Sequence, residues 1–185
     1  MVEEKTDEEI CKAVQKGDIE AFGILVERYE RKMKIYFQKF LSQKEDVEDL
    51  VQNVFLKAFE NIQSFDPKRK FKSWIYQIAH NELVNALKRK TRFSFLSLDT
   101  FLPYLSLKSE IEETIDRKKM KEELEKCLEK LDQKYREVIF LFYFENLSYS
   151  EISEILKIPV STVGIRLKRA KEKIKKLFEK NHGKT

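Results

Sequence analysis

Between Leu147 and Phe178 the chain reads LSYSEISEILKIPVSTVGIRLKRAKEKIKKLF, two helical patterns joined only by the stretch Lys157 to Val160. Two helices on so short a connection cross steeply, which predicts a helix-turn-helix. Ser148 and Glu151 form a capping box at the start of the first helix, and Ile152, Ile155 and Leu156 are its inner face. Pro159 lies in the turn. The second helix is expected to bury Val163, Leu167, Ala170, Ile174 and Leu177, at intervals of four, three, four and three. In such an arrangement the second helix offers its outer face to the DNA major groove. Here that face holds Ser161, Thr162, Ile165, Arg166, Lys168 and Arg169, followed by lysines suited to phosphates. Its charge is one-sided, with seven basic residues from Arg166 to Lys176 against Glu172 alone. An ordinary solvated helix would mix Glu with Lys at four-residue steps.

Only four glycines and three prolines interrupt 185 residues rich in Lys, Glu, Leu, Ile and Phe, so the whole chain reads as all-α. Fourteen phenylalanines and seven tyrosines furnish core for two small helical domains. The first spans residues 1–92. Thr6 and Glu9 make a capping box for a short helix that Gly17-Asp18 ends. A long helix is expected from Asp18 to about Leu41, burying Phe22, Leu25, Val26, Tyr29, Met33, Tyr36, Phe37, Phe40 and Leu41. A third turns Val47, Leu50, Val51, Val54, Phe55 and Ala58 inward and leaves Glu45, Glu48, Asp49, Gln52 and Asn53 outward. FDPKRK is a loop, and a further helix follows, capped near Ser73. Residues 93–112 lose the helical period and form a flexible, apolar linker. Helical spacing returns in the second domain, 113–185, at Ile115, Met120, Leu124, Cys127, Leu128 and Leu131.

The segment KFKSWIYQIAHNELVNALKRK, residues 70–90, carries a second message. Gln77, Asn81, Asn85, Lys88 and Arg92 fall at steps of four, four, three and four and therefore share one helix face. Amides hydrogen-bond base edges, and the cations that follow neutralise phosphates. Beside them stand the basic loop residues Lys68, Arg69 and Lys70 and the aromatics Phe71, Trp74 and Tyr76. Aromatic rings next to cations suit single-stranded nucleic acid, whose bases stack. Trp74, Ile75 and Ile78 are nonetheless expected in the core, as aromatic and aliphatic side chains usually are. Asn81 and Asn85 are expected outside, because amides have low helix propensity and do little for a core. His80 suits a surface or a packed position equally. The segment reads as a binder of the junction between duplex and parted strands.

Charge separates the two kinds of partner. From Lys68 to Arg92 eight basic residues face the single acid Glu82, while residues 45–66 hold six acids against Lys57. A polyanion and a basic surface are implied. Cys11 and Cys127 are isolated and lack metal-ligand spacing, so neither a disulfide nor a metal is expected. With two histidines and no Gly-rich phosphate loop or nucleophile elbow, the chain has no catalytic constellation and calls for no cofactor. The start MVEEKTDEEICKAVQKGD lacks a signal-peptide pattern, and the longest apolar run, VIFLFYF, is too short to enter a membrane as a span. A cytoplasmic protein is expected.

Two stretches carry a resemblance: DVEDLVQNVFLKAFENIQSFDPKRKFKSWIYQIAHNELVNALKRKTR and LDQKYREVIFLFYFENLSYSEISEILKIPVSTVGIRLKRAKEKI. In order and spacing they resemble the extracytoplasmic-function (ECF) subfamily of bacterial RNA polymerase sigma factors. The resemblance implies a non-enzymatic, two-domain subunit that binds core RNA polymerase, recognises promoter DNA and promotes strand opening. It implies that the acidic helix, with Asp46, Glu48, Asp49, Gln52, Asn53 and Phe55, docks on the polymerase. It further implies that Asn81 and Asn85 contact the minus-ten element and that the loop Asp66 to Lys70 holds an extruded base. The helix-turn-helix would read the minus-thirty-five element, and an anti-sigma factor is an expected partner. Asn53 stands where the family usually has an acid, and Gly164 where it often has Arg or Lys. The rival reading is a conventional helix-turn-helix regulator, which would bind its operator without polymerase.

Overall fold

The computed structural model describes residues 5–93 and 123–182, and every regular element among them is helical. The chain divides into two compact units. The expected linker lies, but for Phe93, outside the described residues.

The N-terminal unit begins as its spacing predicts. Helix α1 (Asp7–Gln15) starts in a capping box in which Glu9 N donates to Thr6 Oγ1 at 3.2 Å and Thr6 N donates to Glu9 Oε2 at 2.8 Å. Each bond satisfies a backbone donor that has no partner within the helix. Gly17, at φ +105°, takes a left-handed conformation that a side chain would strain. The expected single helix from Asp18 to Leu41 is divided. A 3-10 turn, Ile19–Ala21, is capped by Asp18, whose carboxylate accepts from Ala21 N at 3.3 Å, and α2 runs only from Phe22 to Gln38. Phe40 and Leu41 are buried without being helical, because the chain folds over the helix end with Leu41 N donating to Phe37 O at 2.9 Å. Val26 is half-buried rather than core.

Helix α3 (Lys44–Glu60) packs against both α2 and α4 (Phe71–Phe93). The six positions read inward from its spacing, Val47, Leu50, Val51, Val54, Phe55 and Ala58, are all buried. From α2 come Leu25, Met33, Tyr36 and Phe37, and from α4 Phe71, Ile75, Tyr76, Ala79 and Leu83. Tyr29 meets Phe71 edge to face at 5.3 Å, and Tyr36 meets Tyr76 likewise at 5.7 Å. Each large side chain so removed from water contributes about 1.5–3 kcal/mol. Helix α1 is tied to α2 through Asp7, which accepts from Tyr29 Oη at 2.5 Å and from Arg28 Nη1 at 2.6 Å.

In the C-terminal unit, α5 is helical over residues 123–129 and α6 spans Gln133–Ile139. The Arg136 guanidinium closes the end of α5 by donating to Leu128 O at 3.1 Å, Leu131 O at 2.9 Å and Glu129 O. Carbonyls at a helix end lack partners of their own and attract a cation. Leu124, read as inward-facing, is exposed, and Leu128 is half-buried. Past Ile139 the helix widens into a π turn, Phe140–Phe144, in which the rings of Phe140 and Phe144 stack at 5.5 Å. Asn146, at φ +51°, ends it; its short amide tolerates the left-handed region.

Helices α7 (Tyr149–Leu156) and α8 (Val160–His182) form the anticipated helix-turn-helix. Glu151 N donates to Ser148 Oγ at 3.3 Å and Ser148 N to Glu151 Oε2 at 2.8 Å, the capping box read from the sequence. The turn depends on Lys157 at φ +53° and on Ser153, whose carbonyl accepts from Ile158 N at 3.1 Å. Val163, Leu167 and Ala170 are buried as expected. Ile174 and Leu177 are only half-buried among the described residues. Lys173 crosses to α6's start, 2.7 Å from Asp132, and its hydrogen bond holds that carboxyl below the usual range.

Candidate nucleic-acid interface

On α3 the buried stripe leaves an opposite face with Glu45, Glu48, Asp49 and Gln52 exposed. Asp46 and Asn53 flank it, half-buried, and Phe55 is in the core. Of the six residues read as a docking set, Phe55 therefore belongs to packing, since its position repeats the inward spacing. Glu48 is held by Lys44 one turn earlier, at 3.5 Å. The exposed face continues past Gln52 to Leu56 and Phe59, one and two turns on. Both are exposed large apolar side chains, and Phe59 rests edge to face on Phe22 at 5.2 Å. Their spacing from Gln52 was legible, but an apolar residue in a helix ordinarily signals core.

The loop before α4 is built from its own residues and braced from α1. Asp66 Oδ1 accepts from Lys68 N at 2.9 Å, and Asp66 O accepts from Arg69 N at 2.9 Å, a tight turn of the kind Asp side chains nucleate. The Asp66 carboxylate thus shapes the loop, while Lys68, Arg69 and Lys70 project exposed from it. Gln15 donates from Nε2 to Ile62 O at 2.8 Å and to Phe65 O at 2.7 Å, fixing the chain just upstream. Glu8 Oε1 accepts from Phe71 N at 2.9 Å, a distant carboxylate serving the first donor of α4. The expected cap near Ser73 is displaced by this contact, and Ser73 is buried in the first turn. Neither Glu8 nor Gln15 has a local signature, because their partners lie tens of residues away.

Helix α4 buries Phe71, Ser73, Ile75, Tyr76, Ala79, Glu82 and Leu83. On the other side Asn85 and Lys88 are exposed and Gln77 and Asn81 half-exposed, so the amide ridge stays outside the core. Arg92's side chain lies outside the described residues. Trp74 and Ile78, expected in the core, are half-buried. Trp74 leans on Phe65 at 5.0 Å and Phe71 at 5.7 Å, leaving part of its ring open beside the basic loop. It stands two turns before Asn81, on the line of the ridge rather than of the core row, and this explains its intermediate exposure. His80 is half-buried too.

On α8 Ser161, Ile165, Lys168 and Arg169 are exposed opposite the Val163, Leu167, Ala170 row, and Thr162 and Arg166 are half-exposed along its flank. Gly164 lies among them; a Cβ there would stand 3.5 Å from the Tyr149 ring, ordinary contact. Among the described residues no group of three or more His, Cys, Asp or Glu is placed to hold a metal, and no helix is long and apolar enough to cross a membrane.

Residues 25–93 match the family described as Sigma-70 region 2, and residues 121–174 that described as Sigma-70, region 4. The ECF RNA polymerase sigma factor SigW of Bacillus subtilis is 36% identical over 182 residues, covering 89% of this chain and 92% of its own. The ECF RNA polymerase sigma-E factor of Haemophilus influenzae is 33% identical, covering 94% of this chain and 96% of its own. Among solved structures, the sigma factor RpoE in complex with the anti-sigma factor NepR, from Bartonella quintana, shares the fold at a TM-score of 0.70 and 22% identity, over 85% of this chain and 96% of that one. Two matched regions in the same order, and relatives aligned over nearly the full length, establish that the chain belongs to the ECF RNA polymerase sigma factors.

Proposed function

We propose that this sigma factor, which binds RNA polymerase and promoter DNA and is not an enzyme, divides the task among three surfaces. The acidic face of α3, Glu48, Asp49 and Gln52 with Asp46 and Asn53 at its edges, docks on a basic surface of the core polymerase. Leu56 and Phe59 extend that contact with apolar area. The loop Asp66–Lys70 and the ridge Gln77, Asn81, Asn85, Lys88 and Arg92 engage the minus-ten element, and α8 reads the minus-thirty-five element through Ser161, Thr162, Ile165, Arg166, Lys168 and Arg169. Residues 1–92 form the domain for the polymerase and the minus-ten element, residues 113–185 that for the upstream element, and 93–112 the tether. The protein acts in the cytoplasm, and an anti-sigma factor of the kind seen on Bartonella RpoE is its proposed inhibitor.

One observation carries this reading: the amide and lysine ridge of α4 lies outside the core, downstream of an exposed basic loop. Extruding a base costs a few kcal/mol of stacking and pairing, which a fitted site offsets. Since the ridge meets bases only once the strands part, binding favours the open state without ATP. A free-standing regulator would leave the acidic face of α3 without an occupant. Adding the protein to sigma-free core polymerase on genomic templates should yield promoter-specific transcripts; their absence from every template overturns the reading.

A further inference from the structure

We propose that Ile165 reads a thymine in the upstream promoter element through the base's 5-methyl group, an inference that rests on α8 being the groove-facing helix. Around Gly164 stand three large apolar side chains open to solvent: Ile165 at 51% exposure, Val160 at 47% and Tyr149 at 40%. Val160 is one turn before Gly164 on α8, and the Tyr149 ring borders the empty Cβ position at 3.5 Å. Single exposed hydrophobics need no explanation. These three, however, border the one position of the proposed reading face that has no side chain at all, on a helix whose exposed side is otherwise polar or charged.

Major-groove edges present donors, acceptors and a single apolar group, the thymine methyl. Ile165 has neither donor nor acceptor, so setting it against a purine nitrogen or a carbonyl strips water and returns no hydrogen bond. Against a methyl it gains burial on both sides. Ser161, Ile165 and Arg169 follow one another at four-residue steps and share a line along the helix. The hydroxyl and the guanidinium at the ends of that line supply polar contacts, and the middle contact is apolar. The absent side chain at 164 leaves no long guanidinium beside Ile165 to hold it off the base.

Holoenzyme formed from the full chain and core polymerase is first given a promoter recovered by transcription of fragmented host DNA. Each thymine of its upstream element is then replaced singly by deoxyuridine, which removes only the methyl. One replacement should weaken holoenzyme binding about four-fold, the equivalent of one buried methylene. Ile165→Ala should bind the thymine duplex more weakly by a similar factor and be indifferent to that same replacement. Wild-type indifference to every replacement, or an Ile165→Ala protein that keeps the sensitivity, overturns the assignment while leaving α8 as the reader. If scrambling the whole upstream element leaves wild-type binding unchanged, the reading of α8 itself is overturned, and the assignment with it.

Discussion

Lys57 Nζ on α3 donates to Glu82 Oε1 on α4 at 2.5 Å, and the carboxylate side chain is 7% exposed while the lysine is 49% exposed. The pair joins the helix proposed to hold the polymerase to the helix proposed to hold DNA. Its two ends are unequal. Lys57→Ala leaves a buried carboxyl without its partner and should cost about 1–3 kcal/mol, the low end being favoured because water reaches the lysine side. Glu82→Met leaves an ammonium that water can solvate, and should cost less than about 1 kcal/mol. Urea unfolding of both variants checks the asymmetry; equal losses contradict it.

Asn81→Ala or Asn85→Ala should lower promoter opening about ten-fold while leaving affinity for core polymerase near wild type, since one amide-to-base contact is worth about 1–3 kcal/mol. Asp49→Lys should do the opposite, placing like charge against a basic surface. Permanganate footprinting measures opening, and polymerase pull-down measures docking. Equal impairment of both by both classes of variant would undo the division.

DNA affinity of the holoenzyme should fall steeply with salt. Lys168→Ala or Arg169→Ala should each reduce the log–log slope by about 1 if the side chain neutralises a phosphate. A slope unchanged by Arg169→Ala, together with altered base preference, would move Arg169 from the backbone to a base edge.

Turn chemistry in the helix-turn-helix gives a pair of stability predictions of opposite sign. Ser148→Ala removes the acceptor for Glu151 N and should cost about 1 kcal/mol. Lys157→Gly relieves a side chain held at φ +53° and should gain about 1 kcal/mol in thermal or urea unfolding.

Burial pushes the Cys11 thiol from 9.0 up to about 12, with Glu8 and Asp7 adding to it. A pKa raised by folding stabilises the fold below the unfolded value and loses that contribution as pH climbs toward the folded one. Stability should therefore decline between about pH 9 and pH 12, and Cys11→Ser should shrink that decline. In native protein at neutral pH Cys11 should resist alkylation that proceeds readily in urea; rapid native labelling would contradict the burial.

Much of the fold was legible because it follows from spacing and local chemistry. The capping boxes at Thr6 and Ser148, the inward stripe of α3 and the outer position of Asn85 and Lys88 all sit within one or two helical turns of their cause. What escaped was decided over distance or by helix length. The opening of the second helix as a 3-10 turn over Ile19–Ala21, and the burial of Phe40 and Leu41 where the chain folds over the helix end beyond Gln38, are features that periodicity alone does not distinguish from continued helix. Ile174 and Leu177 keep a core-like interval, yet among the described residues they are only half-buried, which spacing alone does not distinguish from core. Trp74 was assigned by residue type, yet it stands two turns before Asn81 on the line of the ridge, which left it half open. On the candidate site, Leu56 and Phe59 were hidden by the ordinary habit of apolar residues, and Phe55 was given a role at the surface that its inward spacing denies.

Through Glu8 and Gln15 the opening helix holds, from outside, both the entry to the basic loop and the first backbone donor of α4. Helix α1 thereby sets where α4 starts, and hence the angular phase of every amide and lysine that follows along it. Under the role proposed for α4, changes in α1 should retune how readily a promoter melts without altering a group proposed to meet the strands.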